Sequence, residues 1–406
     1  MNEANEKRNI LLGISGSIAA YKAAELARLY VSRGYHVRVI MTGAGQEFVT
    51  PLTFESVTGH PVISDFWSNG ARDGIEHIQL ADWADVVVVA PATADILAKL
   101  VMGAADNPLL ATILATRVPI LVAPAMNVNM YEHPVTQKNL ETLKERSVQV
   151  VAPESGALAC GWNGSGRLAS PWEIFYQTQR ALSAHDFEGK HVVISTGPTR
   201  EAIDPVRFIS NRSSGKMGVA LAREAYRRGA KVTLVHGPVS VRVPTEIECV
   251  PVFSAMEMQA AMLKATFEVE DIKADFVIMA SAVADYRPVE VYSEKIKKEA
   301  GLPPINLVEN PDILGALGAR RAGNPYPKLI GFAVETGEIE DLLDEVRAKL
   351  ERKNADLIIG NMADDAFDKD TNRVWLVDRS GRTDEVMMTY KSRVAIKIFD
   401  SIRRLS

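Results

Sequence analysis

In the stretch Ala123-Pro124-Ala125-Met126-Asn127-Val128-Asn129-Met130-Tyr131, a carboxamide and two thioethers sit where the apolar run Val118 to Ala123 ends. The carboxyl end of a strand in an open parallel sheet is where such folds bind ligands. A carboxamide there can donate to a carboxylate and accept from a neighbour, and it does not titrate. Taken alone, an Asn at this position reads as the cap of the next helix. Two further residues give it company. His77 lies among apolar residues in Ile75-Glu76-His77-Ile78, where a packed histidine is the ordinary reading. Cys160 lies in Ala159-Cys160-Gly161-Trp162-Asn163-Gly164-Ser165-Gly166-Arg167, a Gly-rich loop in which a thiol has no core to fill. Glycines at 161, 164 and 166 are expected to give that loop the flexibility of a lid.

The second half of the chain carries a different chemistry. Thr196-Gly197-Pro198-Thr199 forms a turn, and Asn211-Arg212-Ser213-Ser214-Gly215-Lys216-Met217-Gly218 opens a helix. The latter lacks the first Gly and the Ser/Thr after Lys that a P-loop requires, so a P-loop ATPase is rejected. It still offers amides, hydroxyls and an ammonium for an anion, although a Ser-Gly helix cap accounts for it equally well. Ala282-Val283-Ala284-Asp285-Tyr286-Arg287 follows a buried run, then Glu294-Lys295-Ile296-Lys297-Lys298 and Asn310-Pro311-Asp312-Ile313. Lys349 and Lys353, four apart, share one helix face and read as surface residues by themselves.

These residues need elements to hold them. Ile10 to Ile14 is a strand, Gly13-Ile14-Ser15-Gly16-Ser17 a turn, and a helix follows through Leu26 and Leu29 to Arg33-Gly34. Val37 to Met41 returns as a strand. His191 to Ser195, Val219 to Arg228 and Lys231 to Val235 repeat that grammar, each helix ending in the Gly of an αL cap. Further buried runs at Val86–Ala90, Ile120–Ala123, Phe276–Ala280, Leu329–Phe332 and Leu357–Ile359 predict parallel sheets covered on both faces. Val374–Val377 and Glu385–Met388 flank a turn at Asp378-Arg379-Ser380-Gly381, which predicts an antiparallel edge hairpin. The fold class is therefore α/β: two doubly wound, mostly parallel-sheet domains in tandem, 1–186 and 187–406. Gly16 and Ser17, Thr42, and Thr93-Ala94-Asp95 all fall on one edge of the first sheet and predict a mononucleotide crevice.

Composition bounds the rest. Of 406 residues, 47% are hydrophobic and 24% charged, as in a globular protein with sizeable cores. A net charge of −5 gives no footprint for nucleic acid. Two cysteines make no disulfide framework, and no apolar run is long enough to span a membrane, so a cytoplasmic protein is expected.

Gly-Ser-Ile-Ala-Ala-Tyr-Lys at 16–22, the Ala-Pro-Ala-Met-Asn-x-x-Met element and the Ala-Cys-Gly-x-x-Gly-x-Gly-Arg loop resemble the flavin-dependent cysteine decarboxylases, in their phosphopantothenoylcysteine branch. "GPTREAIDPVRFISNRSSGKMG", "AVADYRP", "EKIKK" and "NPDIL" resemble phosphopantothenate–cysteine ligase, fused as in the bacterial bifunctional enzyme of coenzyme A synthesis. The resemblance implies a flavodoxin-like domain followed by a Rossmann-like ligase domain. It assigns FMN to Gly16, Ser17, Thr42, Phe48, Thr93, Ala94 and Asp95, with His77 as base, Asn127 on the substrate carboxylate and Cys160 as proton donor. It assigns CTP to Asp285, Lys295, Asn310, Pro311, Asp312, Ile313, Phe332, Lys349 and Lys353, with Lys295 also neutralising phosphate charge and Asn211 holding the acyl-cytidylate. Mg2+ is expected with the triphosphate, through ligands the sequence does not identify. The substrates implied are 4′-phosphopantothenate and cysteine, and the assembly a homo-oligomer of trimeric decarboxylase and dimeric ligase units, up to a dodecamer. Tyr131 stands where the family motif commonly has Trp, Asp95-Ile96 where many members have Asn-Thr, and the 366–372 loop lacks the usual glycines. A peptidyl-cysteine decarboxylase, a flavin prenyltransferase and a non-catalytic flavoprotein regulator share the first fold. The Cys160 donor speaks against the first, the Asn127 and Cys160 elements against the second, and the missing acidic tail against the third.

Overall fold

The computed structural model describes residues 8–66, 76–157, 161–268, 273–297, 304–366 and 369–405. Contacts divide the chain into two units, Met1–Ser183 and Ala184–Ser406, a division three residues before the expected one. Asp186 is the reason: its carboxylate pairs with the buried Arg228 guanidinium of the second unit, whose Nη1 donates to Asp400 at 2.9 Å.

The first unit is a five-stranded parallel sheet of β1 (Asn9–Ile14), β2 (His36–Met41), β3 (Val86–Ala92), β4 (Ile120–Pro124) and β5 (Gln149–Val150), in the order β2-β1-β3-β4-β5. Every residue of β3 is buried, as an unbroken Val run covered on both faces must be. The helix Ala20–Ser32 turns Ala20, Ala23, Leu26, Ala27 and Tyr30 inward, a single stripe at helical spacing, and Gly34 closes it at φ +86°. The order is flavodoxin-like, and the strand direction reverses its progression between β1 and β3, the place where such sheets open a crevice.

Outside this sheet, β6 (Glu154–Ala157) and β7 (Asn163–Arg167) form an antiparallel hairpin. Its glycines depart from expectation. A Cβ on Gly166, at φ +135°, would strike the Met126 carbonyl oxygen, and one on Gly164 would lie 2.6 Å from Val128 Cγ2. Both glycines exist for close approach to the Met126–Val128 segment, and the Met126 N–H donates to Gly166 O at 2.9 Å. Only Gly161, at φ +82° with open space around it, fits the flexible role.

The second unit has an eight-stranded sheet. Its strands are β8 (His191–Pro198), β11 (Lys231–His236), β12 (Glu248–Pro251), β13 (Phe276–Ala282), β16 (Lys328–Glu335), β17 (Leu357–Met362), β18 (Thr371–Asp378) and β19 (Thr383–Tyr390). The order is β12-β11-β8-β13-β16-β17-β18-β19, parallel through β17 and antiparallel beyond it, which is the predicted edge hairpin. Two three-residue ribbons, β9 (Arg200–Ala202) with β10 (Phe208–Ser210) and β14 (Tyr286–Pro288) with β15 (Leu307–Glu309), stand apart from it. They are too short to show an alternation in sequence. Apolar clusters fill both faces, one around Phe187, Phe276 and Phe399 and the other around Met258, Met262 and Trp375. Among the described residues, no helix is long and apolar enough to cross a membrane.

Candidate functional site

Among the described residues, a large cleft lies beside the sheet of each unit. In the first, about 1070 Å³ is enclosed by the β1–helix turn, the segment after β2, the segment after β3 and the segment after β4. Gly16, Ser17, Thr42, Phe48, Thr93, Ala94, Asp95 and Asn127 all line it. The local chemistry is that of helix starts. Thr42 Oγ1 accepts from Gly45 N–H at 3.1 Å, and Thr93 caps the helix Ala94–Met102 while its N–H donates to Ser15 Oγ at 3.1 Å. Ser15 Oγ in turn donates to Pro91 O at 2.8 Å, so the two turns are bonded across the strand ends. Gly16 is required by space, because a Cβ there would sit 2.6 Å from the Ala44 methyl. Such a cradle, with backbone amides at several helix starts and no room for side chains, suits a phosphate ester and the flat body attached to it. FMN fits the residues present.

Asn127 caps a helix and also faces the cleft. Its Oδ1 caps the helix Val128–Glu132 by accepting from Asn129 N–H at 2.8 Å, and the residue lines the cleft. His77 is placed elsewhere. It rides on the helix Glu76–Trp83, edge-on to Phe66 at 5.9 Å between ring centres, and does not line the cleft. Its Nδ1 is buried without a hydrogen-bond partner among the described residues. Cys160 lies outside the described residues, between the paired Ala157 and Asn163. Sequence reasoning gave no site role to Lys22, whose Nζ donates to Leu168 O at 3.3 Å and whose pKa is lowered by burial and by Arg167. Nor did it to Lys99, which bridges Asp95 and Asp106 at 3.2 and 3.0 Å on the same cleft. Those two aspartates raise its pKa. The i,i+4 spacing of Asp95 and Lys99 was the available signal.

The second cleft, about 850 Å³, takes in Asn211, Asp285, Asn310, Pro311, Asp312, Ile313, Phe332, Lys349 and Lys353. The segment after β13 is clasped from two sides. Asn211 Nδ2 donates to Val283 O at 2.9 Å, and Asn310 Nδ2 donates to Ala284 O at 2.8 Å. Asn310 N–H also donates to Asp285 O at 2.7 Å. The two lysines were read as surface residues from spacing, and the structure differs. Lys349 is half-buried, gives its ammonium to Phe332 O at 2.7 Å, and has its pKa lowered by burial and then by Lys353. Lys353 pairs with Asp312, which also caps the helix Ile313–Arg321 through Gly315 N–H at 3.0 Å. Burial alone would raise the Asp312 carboxyl, but Lys353, the Gly315 amide and Lys349 together hold it below the ordinary range.

Lys295 is exposed and does not line the cleft. Its neighbour Ile296 is moored by both backbone groups, N–H to Asp204 Oδ2 at 3.3 Å and O from Arg207 Nη2 at 3.1 Å. The cleft also contains Lys216, Lys391, Asn361 and Asn372, of which only Lys216 had a sequence signal. Among the described residues, no group of three or more His, Cys, Asp or Glu could hold a metal ion.

The "Flavoprotein" family matches residues 1–183, and the "DNA/pantothenate metabolism flavoprotein C-terminal domain" matches residues 187–405. The chain is 42% identical over 403 residues to the coenzyme A biosynthesis bifunctional protein CoaBC of Vibrio parahaemolyticus, covering 98% of each. It is 43% identical over 406 residues to that of Bacillus subtilis, covering 98% of this chain and 97% of the relative. A crystal structure of the C-terminal domain of a protein of that name is 37% identical, with a TM-score of 0.46, covering 55% of this chain and 98% of that one.

Proposed function

Since the chain belongs to the family of bifunctional coenzyme A biosynthesis proteins, with decarboxylase and ligase activities, we propose that each cleft serves one of two consecutive reactions. The second cleft joins cysteine to 4′-phosphopantothenate at the expense of CTP. The first decarboxylates the product to 4′-phosphopantetheine with FMN. The observation that carries this reading is the gathering of the sequence-selected residues into one cleft per unit, except His77, Lys295 and the undescribed Cys160.

In the ligase step, the 4′-phosphopantothenate carboxylate attacks the α-phosphorus of CTP and pyrophosphate leaves. The cysteine amine then displaces CMP from the acyl carbon, forming the amide. Asn310 to Ile313, Asp285 and Phe332 surround the nucleotide, while Lys349 and Lys353 supply charge to its phosphates. Asn211 fixes the wall against which the acyl-cytidylate lies, through its bond to Val283. Lys295 meets the phosphates as charge builds on them. Mg2+ arrives with the triphosphate, whose charge calls for it.

In the first cleft, bound FMN supplies the reversible two-electron oxidation that turns the cysteine carbon next to sulfur into a centre able to stabilise loss of CO2. Asn127 holds the departing carboxylate, its orientation set by the cap to Asn129. Cys160 returns the proton. His77 does not line the cleft of its own protomer, so the role of base falls to His77 of a neighbouring copy. The exposure of Ile18, Tyr21, Phe48 and Met130 at the cleft supports a trimer that covers them. The two-cysteine composition, without a disulfide framework, supports a cytoplasmic setting for these reactions.

The test is to incubate the purified protein with 4′-phosphopantothenate, CTP, Mg2+ and cysteine and identify products by mass. The expected products are 4′-phosphopantetheine, CO2, CMP and pyrophosphate. ATP replacing CTP at equal rate would overturn the nucleotide assignment, and phosphopantothenoylcysteine accumulating without CO2 would overturn the decarboxylase.

A further inference from the structure

Two helices of the second unit, Lys216–Arg227 and Lys391–Ile402, pack against one another, and each begins with a lysine. Neither start has a side-chain cap. A cation at a helix amino terminus opposes the partial positive charge already there, whereas an anion at the same point is stabilised. Two adjacent helices sharing this unfavourable choice give a local excess of positive charge. Both lysines line the 850 Å³ cleft, and Lys391 is only 7% exposed. None of the groups assigned above to the nucleotide comes from these two helices.

The excess is met from within the chain. Lys216 Nζ lies 2.6 Å from Asp370 Oδ1. Lys391 is bonded to the same segment twice, through its N–H to Asp370 O at 2.9 Å and its Nζ to Lys369 O at 2.6 Å. The Asp370 carboxyl is held below the ordinary range by Lys216 first and by Lys391 as well. Yet the Asp370 side chain is 73% exposed and does not line the cleft. It is a counter-ion applied from the solvent side to a charge that faces the cleft.

We propose that Lys216 and Lys391 form a phosphate-binding subsite and that Asp370 is its internal counter-ion, surrendering Lys216 to a ligand phosphate when one enters the cleft. Two ammonium groups placed at two helix starts match a group that carries up to two negative charges and three acceptor oxygens. The proposal rests on the ligase reading for its ligands, which offer that chemistry from two sources: the outer phosphates of the nucleotide, or the phosphate ester of 4′-phosphopantothenate.

Isothermal titration of the full-length protein with CTP, CMP, 4′-phosphopantothenate, pantothenate and inorganic tripolyphosphate tests it. Asp370→Asn removes the competitor and should tighten phosphate binding about two- to fivefold, the range an exposed ion pair yields. Lys216→Gln should weaken it about tenfold or more, as loss of a charge-assisted bond does. On the Lys216→Gln background, Asp370→Asn should add nothing, since the two act through one contact. A gain seen with CTP but not CMP assigns the subsite to the nucleotide; one seen with 4′-phosphopantothenate but not pantothenate assigns it to the ester. If CTP and 4′-phosphopantothenate both fail to bind but tripolyphosphate follows the pattern, the ligase reading falls and the subsite stands. If CTP or 4′-phosphopantothenate binds and Asp370→Asn leaves every affinity unchanged or lower, the subsite is overturned and the ligase reading stands. Thermal melts of each variant exclude misfolding as the cause.

Discussion

Replacing Gly166 by Ala should detach the β6–β7 hairpin from the flavin cleft while leaving the rest of the protein intact. At φ +135° a side chain is strained, at a cost of about 1–3 kcal/mol. The new Cβ would also be driven into the Met126 carbonyl oxygen, a backbone atom that cannot swing aside. Relief requires the strand to withdraw, which sacrifices the 2.9 Å bond from Met126 N–H to Gly166 O, about 0.5–1.5 kcal/mol. Together these amount to about 2–4 kcal/mol against docking, or roughly 30- to 1000-fold in the docked population. Gly161→Ala is the control: φ is +82° there but nothing lies within 4 Å, so only the backbone strain applies. Gly166 and Arg167 line the cleft beside Met126 and Asn127, so undocking removes one wall of it. FMN affinity, read by flavin fluorescence, should fall at least tenfold in Gly166→Ala and much less in Gly161→Ala. CTP-dependent pyrophosphate release should be unchanged in both. Wild-type FMN affinity and decarboxylation in Gly166→Ala would refute the claim that this glycine is a close-approach residue holding the cleft together.

Three further outcomes follow from the same geometry. Gly16→Ala places a methyl 2.6 Å from that of Ala44, an overpacking worth about 1–3 kcal/mol, and the purified variant should lose its flavin absorbance. Asp312→Ala should lose about 1 kcal/mol of stability through the helix cap, whereas Asp312→Asn keeps a capping oxygen and loses only the pairing with Lys353. Because the folded Asp312 carboxyl lies below its unfolded value, the pairing contributes above the unfolded pKa and is lost as pH falls through the folded one. Denaturant melts of wild type and Asp312→Asn should therefore converge on acidification. Lys349 acts in the same direction in a higher pH window: its folded pKa is lowered, so between that value and the unfolded one the folded state binds fewer protons, and stability rises with pH there. A bound triphosphate restores the proton, so calorimetry of CTP binding at alkaline pH in buffers of different ionisation enthalpy should show proton uptake, absent in Lys349→Arg.

The sequence by itself determined what depends on near neighbours. Unbroken apolar runs such as Val86–Val89 become central strands because both faces are covered, and Gly34 and Gly229 end helices because φ is positive there. Thr42, Thr93 and Asn127 sit where a strand hands over to a helix, so the same residues cap helices and line the first cleft. The short ribbons β9–β10 and β14–β15 were illegible, because three residues carry no measurable alternation. Tertiary structure alone decided the roles that require a distant partner. Gly164 and Gly166 look like a flexible loop in the sequence and prove to be contact points, because Val128 and Met126 are brought against them. Lys349 looks like a solvated face and is drawn onto the Phe332 carbonyl. Lys216 and Lys391 share a cleft only because the helix after β10 and the helix after β19 pack side by side. Local pattern records burial and turns, with periods of two and 3.6 residues; which remote charges converge is set by strand order and crossover, and no short stretch of sequence encodes those.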